Sequence, residues 1–150
     1  MGGKVNKKGI TLIELIIVMV IIAIGAALMV PSIGAWLPNY RLRAAARDIV
    51  STMRMAQMKA VSGNTDYRVS FDTGSGTYIL QRNSGGVFFD DGVSQTLPAG
   101  IVISAISFPG NNAEFNPNST SSTGSITLIN TKGSTRTVSL TTATGRVSVQ

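Results

Sequence analysis

The chain has 150 residues, a formal net charge of +6 and neither cysteine nor histidine. Those absences exclude a disulfide framework, thiolate or imidazole metal sites and histidine general-base chemistry. No glycine loop cradles phosphate, no base is spaced to activate a serine or threonine, and no carboxylate pair forms a recognisable motif. The chain therefore reads as non-enzymatic and free of cofactors.

In chain order, residues 1–9 are polar and carry Lys4, Lys7 and Lys8 with no acidic residue among them. From Ile10 onward ten Lys/Arg face seven Asp/Glu, so the remainder is only mildly basic, a weak case for a nucleic-acid partner. Residues 10–62 read as helix. Within them 15–30 are sixteen residues without a charge, a helix of about 24 Å. That is less than the ~30 Å hydrocarbon core of a bilayer, but adding 10–13 and 33–37 makes the run long enough. Pro31 and Pro38 fall where such a helix would bend or lose hydrogen bonds.

Glu14 sits near the front of this run, where an unpartnered carboxylate is costly to remove from water. Three readings leave it unexplained: a secretory signal peptide cut after Ala27, a plain transmembrane anchor with its lysines on the cytoplasmic side, and a buried core helix.

Beyond Pro38 the pattern turns amphipathic. Leu42, Ala45, Ala46, Ile49, Met53, Ala56 and Ala60 recur at three- and four-residue steps and form one apolar stripe, while Arg43, Arg47 and Arg54 cluster on the other side. From Gly63 the chain reads as strands: 67-YRVSF-71, a 72-DTGSGT-77 turn, 78-YILQR-82, then 101-IVISAI-106, 125-SITLI-129, 135-TRTVSL-140 and 145-GRVSV-149. Apolar–polar alternation implies antiparallel pairing with one packed face, which the helical stripe would close. The tracts 83-NSGG-86 and 110-GNNAEFNPNSTSSTGS-125 read as loops. Tyr67 and Phe71 are expected in the core, and at least one of Phe88 and Phe89 at the surface. The 90-DDG-92 pair reads as a turn, since two carboxylates alone are a poor calcium site.

The stretch 7-KKGITLIELIIVMVIIAIGAALMVP-31 resembles the class III signal of type IV pilins and type II secretion pseudopilins. The resemblance implies that a prepilin peptidase/methyltransferase cuts after Gly9 and N-methylates Ile10. It also implies that Glu14, fifth in the mature chain, pairs with the new α-amine of a neighbouring subunit, and that Pro31 is the helix-weakening proline. The family more often begins with Phe or Met than with Ile10. Major pilins usually carry a C-terminal disulfide loop, which a chain without cysteine cannot have. The stretch 43-RAAARDIVSTMRMAQMKAVSGNTDYRVSF-71, with the ending 145-GRVSV-149, is similar to the H-type minor pseudopilins and the FimT/FimU minor pilins. FimT-type proteins are linked to DNA uptake through a Gly-Arg-x-Arg pattern. Here Arg146 is present but Ser148 stands at the second arginine's place, and Arg43, Arg47, Arg54 and Arg146 are the candidate DNA contacts.

The combined expectation is an α+β protein: leader 1–9, transmembrane and assembly helix 10–38, and globular domain 39–150, made of amphipathic helix 39–62 packed on an antiparallel, sandwich-like β domain 63–150. It would be a non-catalytic minor pilin or pseudopilin of a secretion pseudopilus or type IV pilus. Its place would be the bacterial inner membrane, single-pass, with the globular part periplasmic, or the assembled filament. Its partners would be other pilin or pseudopilin subunits. The alternative is a DNA-binding minor pilin acting in DNA uptake.

Overall fold

The structure, a computed structural model, describes residues 10–142 and 145–150, with the backbone alone at 28–33 and 35. One helix, α1, spans Leu12–Gly63. Nine strands follow: β1 Tyr67–Asp72, β2 Thr77–Ser84, β3 Val87–Asp90, β4 Gln95–Thr96, β5 Ile101–Ile106, β6 Asn112–Phe115, β7 Gly124–Asn130, β8 Thr135–Thr141 and β9 Arg146–Val149. Helix α1 continues past both prolines, yet the chain divides into two compact units between Leu37 and Pro38. Proline has no N–H to donate to the preceding turn, so the helical ladder lacks one bond at each of Pro31 and Pro38.

In the second unit the predicted stripe is the core face of the helix. Leu42, Ala45, Ala46, Ile49, Met53, Ala56 and Ala60 are each no more than 2% exposed. Four of the seven are alanine, so at those positions no long side chain holds the sheets away from the helix backbone. The helix stops one residue later than the sequence suggests. Asn64 adopts φ +47° and Thr65 N–H donates to Ala60 O at 3.3 Å, which closes the last turn as a Schellman cap with asparagine in the usual glycine position.

Two antiparallel sheets complete the unit. One runs β3-β2-β1-β6 with β4 paired to the outer part of β2, and the other runs β5-β7-β8-β9. Alternation is visible in both: Tyr67, Val69 and Phe71 on β1, Tyr78 and Leu80 on β2, Ile126 and Leu128 on β7, and Val138 and Leu140 on β8 point into a single core shared with the helix. Phe71 lies between Tyr78, 6.0 Å away, and Phe108, stacked at 6.2 Å. The predicted 72–77 turn forms because Asp72 Oδ1 accepts from the Gly74 amide at 2.8 Å and its Oδ2 accepts from Ser75 Oγ at 2.7 Å. These bonds hold the exposed Asp72 carboxyl below its ordinary value, the Ser75 hydroxyl contributing most.

The tract 110–125 differs from its reading as a loop. A 3-10 turn at Pro109–Asn111 leads into β6, which pairs with β1 through Tyr67↔Phe115 and Val69↔Ala113 and buries Ala113 and Phe115 completely. Only 116–123 stays irregular, and even there Ser121 is bridged to Phe115. At the opposite end of the second sheet, buried Asn130 organises the β7–β8 turn. Its Oδ1 accepts from the Lys132 and Ser134 amides, and its Nδ2 donates to Asn39 Oδ1 at 2.8 Å, fastening the hairpin to the start of the packed helix.

Candidate functional site

Two places gather the residues singled out by sequence. The first is the start of α1. Thr11 is its N-cap, and Glu14, at the third helical position, forms a reciprocal pair with it. The Glu14 amide donates to Thr11 Oγ1 at 3.3 Å, while Glu14 Oε2 accepts from both the Thr11 amide and the Thr11 hydroxyl at 3.2 Å. This is a capping box, satisfying helix N–H groups that would otherwise lack partners, and a carboxylate there also suits the helix dipole. The signature Thr-x-x-Glu ahead of an apolar run is legible in the sequence and gives Glu14 a role besides pairing with an α-amine, within its own helix or on a neighbouring subunit. Among the described residues Glu14 Oε1 has no partner.

Behind the box the helix shows apolar side chains to the outside all round. Exposure runs from 77% at Leu12 to 48% at Ile16, and Ile21, Ile22 and Ile24 are each more than half exposed. A surface of this kind marks contact with other helices or with lipid. Among the described residues no helix is long and apolar enough to cross a membrane. The side-chain-resolved stretch 12–27 covers only about 24 Å. Gly9 and the rest of the leader 1–9 lie outside the described residues, as does the Pro31 side chain; Ile10 is 80% exposed.

The second place is a groove between the outer half of α1 and β9. Arg43, Arg47 and Arg54 are exposed on the helix face away from the core, as expected, and Arg146 is exposed at the start of β9. The fold brings these four together and adds Arg136 from β8, which sequence reasoning left as an ordinary strand residue. Adjoining clefts share walls: Arg43 and Arg136 line two of them, Arg47 and Val149 two, and Arg54 two. Gly145 admits the close approach of strand and helix. It sits at φ +56°, and a Cβ there would come within 2.4 Å of Gln57 Nε2. Among the described residues no Asp or Glu lines the groove. The nearest helical acid, Asp48, lies by Tyr78 instead, where its charge adds to the dominant effect of burial in raising the phenol's pKa.

The remaining candidates behave structurally. Phe89 is 55% exposed, while Phe88 lies under the Arg68 guanidinium at 4.0 Å. Asp90 accepts from Gln81, and Asp91 forms an ion pair with Lys59 at 2.8 Å. Among the described residues no three acidic side chains come together as a metal site. The Lys59 hydrogen bond is the largest of the effects that hold the Asp91 carboxyl below its ordinary value. Burial first, and then the Asp91 charge, push the Tyr67 phenol up, so it stays a proton donor to Asp91.

A depressed carboxyl adds stability above its unfolded pKa of about 3.9 and loses that contribution as pH falls through the folded value. The Asp91 and Lys59 side chains are 34% and 40% exposed, and solvent screens them. Asp91→Asn should therefore cost no more than about 1 kcal/mol at neutral pH. Urea melts of wild type and variant should converge as pH drops below the carboxylate range; a constant gap would show that the pair contributes nothing through charge.

Comparison with known proteins fits this architecture. The family described as the type II transport protein GspH matches residues 45–145, and the prokaryotic N-terminal methylation motif matches residues 4–30. Among solved structures the chain is similar to the minor pseudopilin EpsH from the type 2 secretion system of Vibrio cholerae. The TM-score is 0.64 at 9% identity, over 73% of this chain and 96% of that one. It is also similar to the type IV minor pilin FimU of Pseudomonas aeruginosa, with a TM-score of 0.58 at 15% identity over 75% of this chain and 90% of that one. At such identities the likeness is one of fold: a helix packed on antiparallel sheets. No curated protein matches the chain in sequence. The DNA-uptake reading of Arg43, Arg47, Arg54 and Arg146 finds no support in these relationships. The match over 45–145, joined to the methylation motif at the other end, places the chain in a family: it belongs to the GspH family of type II transport proteins.

Proposed function

We propose that the chain is a non-catalytic, structural subunit of a type II secretion pseudopilus or a type IV pilus, with the family description favouring secretion. It is made as a precursor and held in the bacterial inner membrane by 10–38, with the globular unit in the periplasm; a prepilin peptidase/methyltransferase cuts after Gly9 and methylates Ile10. Neighbouring pilin or pseudopilin subunits are its partners.

The observation that carries this reading is a single carboxylate, Glu14, at the head of a helical stretch, 12–27, whose exposed side chains are otherwise apolar. The capping box uses one carboxylate oxygen and leaves the other for a cation. A cut after Gly9 creates an α-amine four residues before Glu14. A charge of either sign in the bilayer costs about 2.5–3.5 kcal/mol on the insertion scale. Two opposite charges that meet offset each other's desolvation, so subunits gain by docking in the one register that joins amine to acid.

Two measurements test it. Sequencing the cellular protein should begin at Ile10; a start near Leu28 would return it to a secreted domain freed by an ordinary signal peptidase. Glu14→Leu should be cut and inserted like wild type but incorporate poorly into filaments. Equal incorporation removes the pairing role.

A further inference from the structure

We infer that the groove between α1 and β9 receives an extended, acidic segment of a partner protein, added as a strand along the free edge of β9. Three independent features of the globular unit converge on that occupant.

The first is an open ladder. β9 ends its sheet, and Thr137 and Gln150 exchange backbone hydrogen bonds of 3.0 and 2.9 Å. In an antiparallel pair such bonded positions alternate, so Ser148 and Arg146 also turn their backbone groups toward β8. The N–H and C=O groups of Val147 and Val149 therefore point outward, along the groove. An unpaired edge of this kind is a template for another strand.

The second is charge. Arg43, Arg47, Arg54, Arg136 and Arg146 are half of the Lys/Arg found from Ile10 onward, and all line the groove. Among the described residues none of their guanidinium groups has a hydrogen-bonding or ionic partner, and no acidic side chain shares the groove. Guanidinium groups recognise carboxylates through planar, paired hydrogen bonds.

The third is the floor. Val50, Met55, Met58 and Val149 line its central part, with Met58 65% and Met55 45% exposed. Methionine adapts to varied apolar side chains. This floor separates a peptide from the other polyanion such a patch could take. Single nucleic acid strands are gripped by aromatic stacking together with phosphate contacts, and among the described residues no aromatic side chain lines the groove. A strand alternating acid and aliphatic residues satisfies edge, charge and floor together.

The test uses the full chain in detergent and a fluorescent ten-residue peptide alternating Glu and Val. Binding should be saturable and weaken with salt. It should fall about tenfold or more in Arg47→Glu/Arg54→Glu. Val149→Pro removes one outward N–H and none of the bonds to β8, so it too should cost about tenfold while the melting temperature holds. A peptide N-methylated at every residue, which can donate no backbone hydrogen bond from either edge, should fail to bind. Three outcomes overturn the inference: equal binding of a Lys–Val peptide, tighter binding of an oligonucleotide that Val149→Pro leaves unchanged, or no binding of the Glu–Val peptide to wild type.

Discussion

Phe115→Ala should be the most damaging single truncation in the globular unit, lowering unfolding free energy by about 3–5 kcal/mol. Phe115 is the largest fully buried side chain, with none of its surface exposed. It lies opposite Tyr67 on β1, and its backbone bridges Ser121, so the surrounding strands cannot collapse into the space it leaves. Loss of the ring removes both transfer energy and packing contacts, and the cavity would be too constrained to relax. For a unit of this size the change corresponds to a fall of about 10 °C or more in melting temperature. Thermal denaturation followed by circular dichroism reads it directly; a shift of only a few degrees would mean that β6 is peripheral to the core.

The second large effect is expected at Gly124, where a single methyl group is too much. A Cβ built there comes within 2.4 Å of Phe108 Cδ1 and 2.9 Å of its Cε1. Phe108 cannot easily yield: it is 4% exposed and stacked on Phe71, which in turn leans on Tyr78. Gly124→Ala should therefore cost about 1–3 kcal/mol through overpacking, outweighing the ~0.4–1 kcal/mol that alanine returns by restricting the unfolded chain. The cause can be isolated with a double-mutant cycle. In the Phe108→Leu background the smaller side chain makes room, so Gly124→Ala should cost clearly less there. Additive losses would place the origin in the backbone of β7 rather than in the ring.

Much of this architecture could be read from residue order because the responsible interactions are local or periodic. The stripe from Leu42 to Ala60 is buried as written, and six strands sit within one or two residues of their alternating runs. The pieces that escaped are short and held by distant partners. β4 has two residues and β6 four, with only Ala113 and Phe115 turned inward, too few to establish a period. Their pairing is decided by β2 and β1, which are far away in the chain. β3 is four residues with one exposed and one half-buried phenylalanine, so alternation is absent.

At the functional end the same distinction holds. The Thr11–Glu14 box spans four residues and has a written signature. The groove unites 39–58 with 134–150, so Arg136 gave no hint of belonging beside Arg43. Asn130, too, looks like an ordinary turn residue until its amide is seen to reach Asn39.

The core of the globular unit takes its helix side chains from the stripe Leu42 to Ala60. Among the described residues, no side chain before Leu42 is counted in that core. On the proposed function, replacements in the apolar stretch 12–27 are read by incorporation into filaments, whereas replacements in the core are read by the melting of the globular unit.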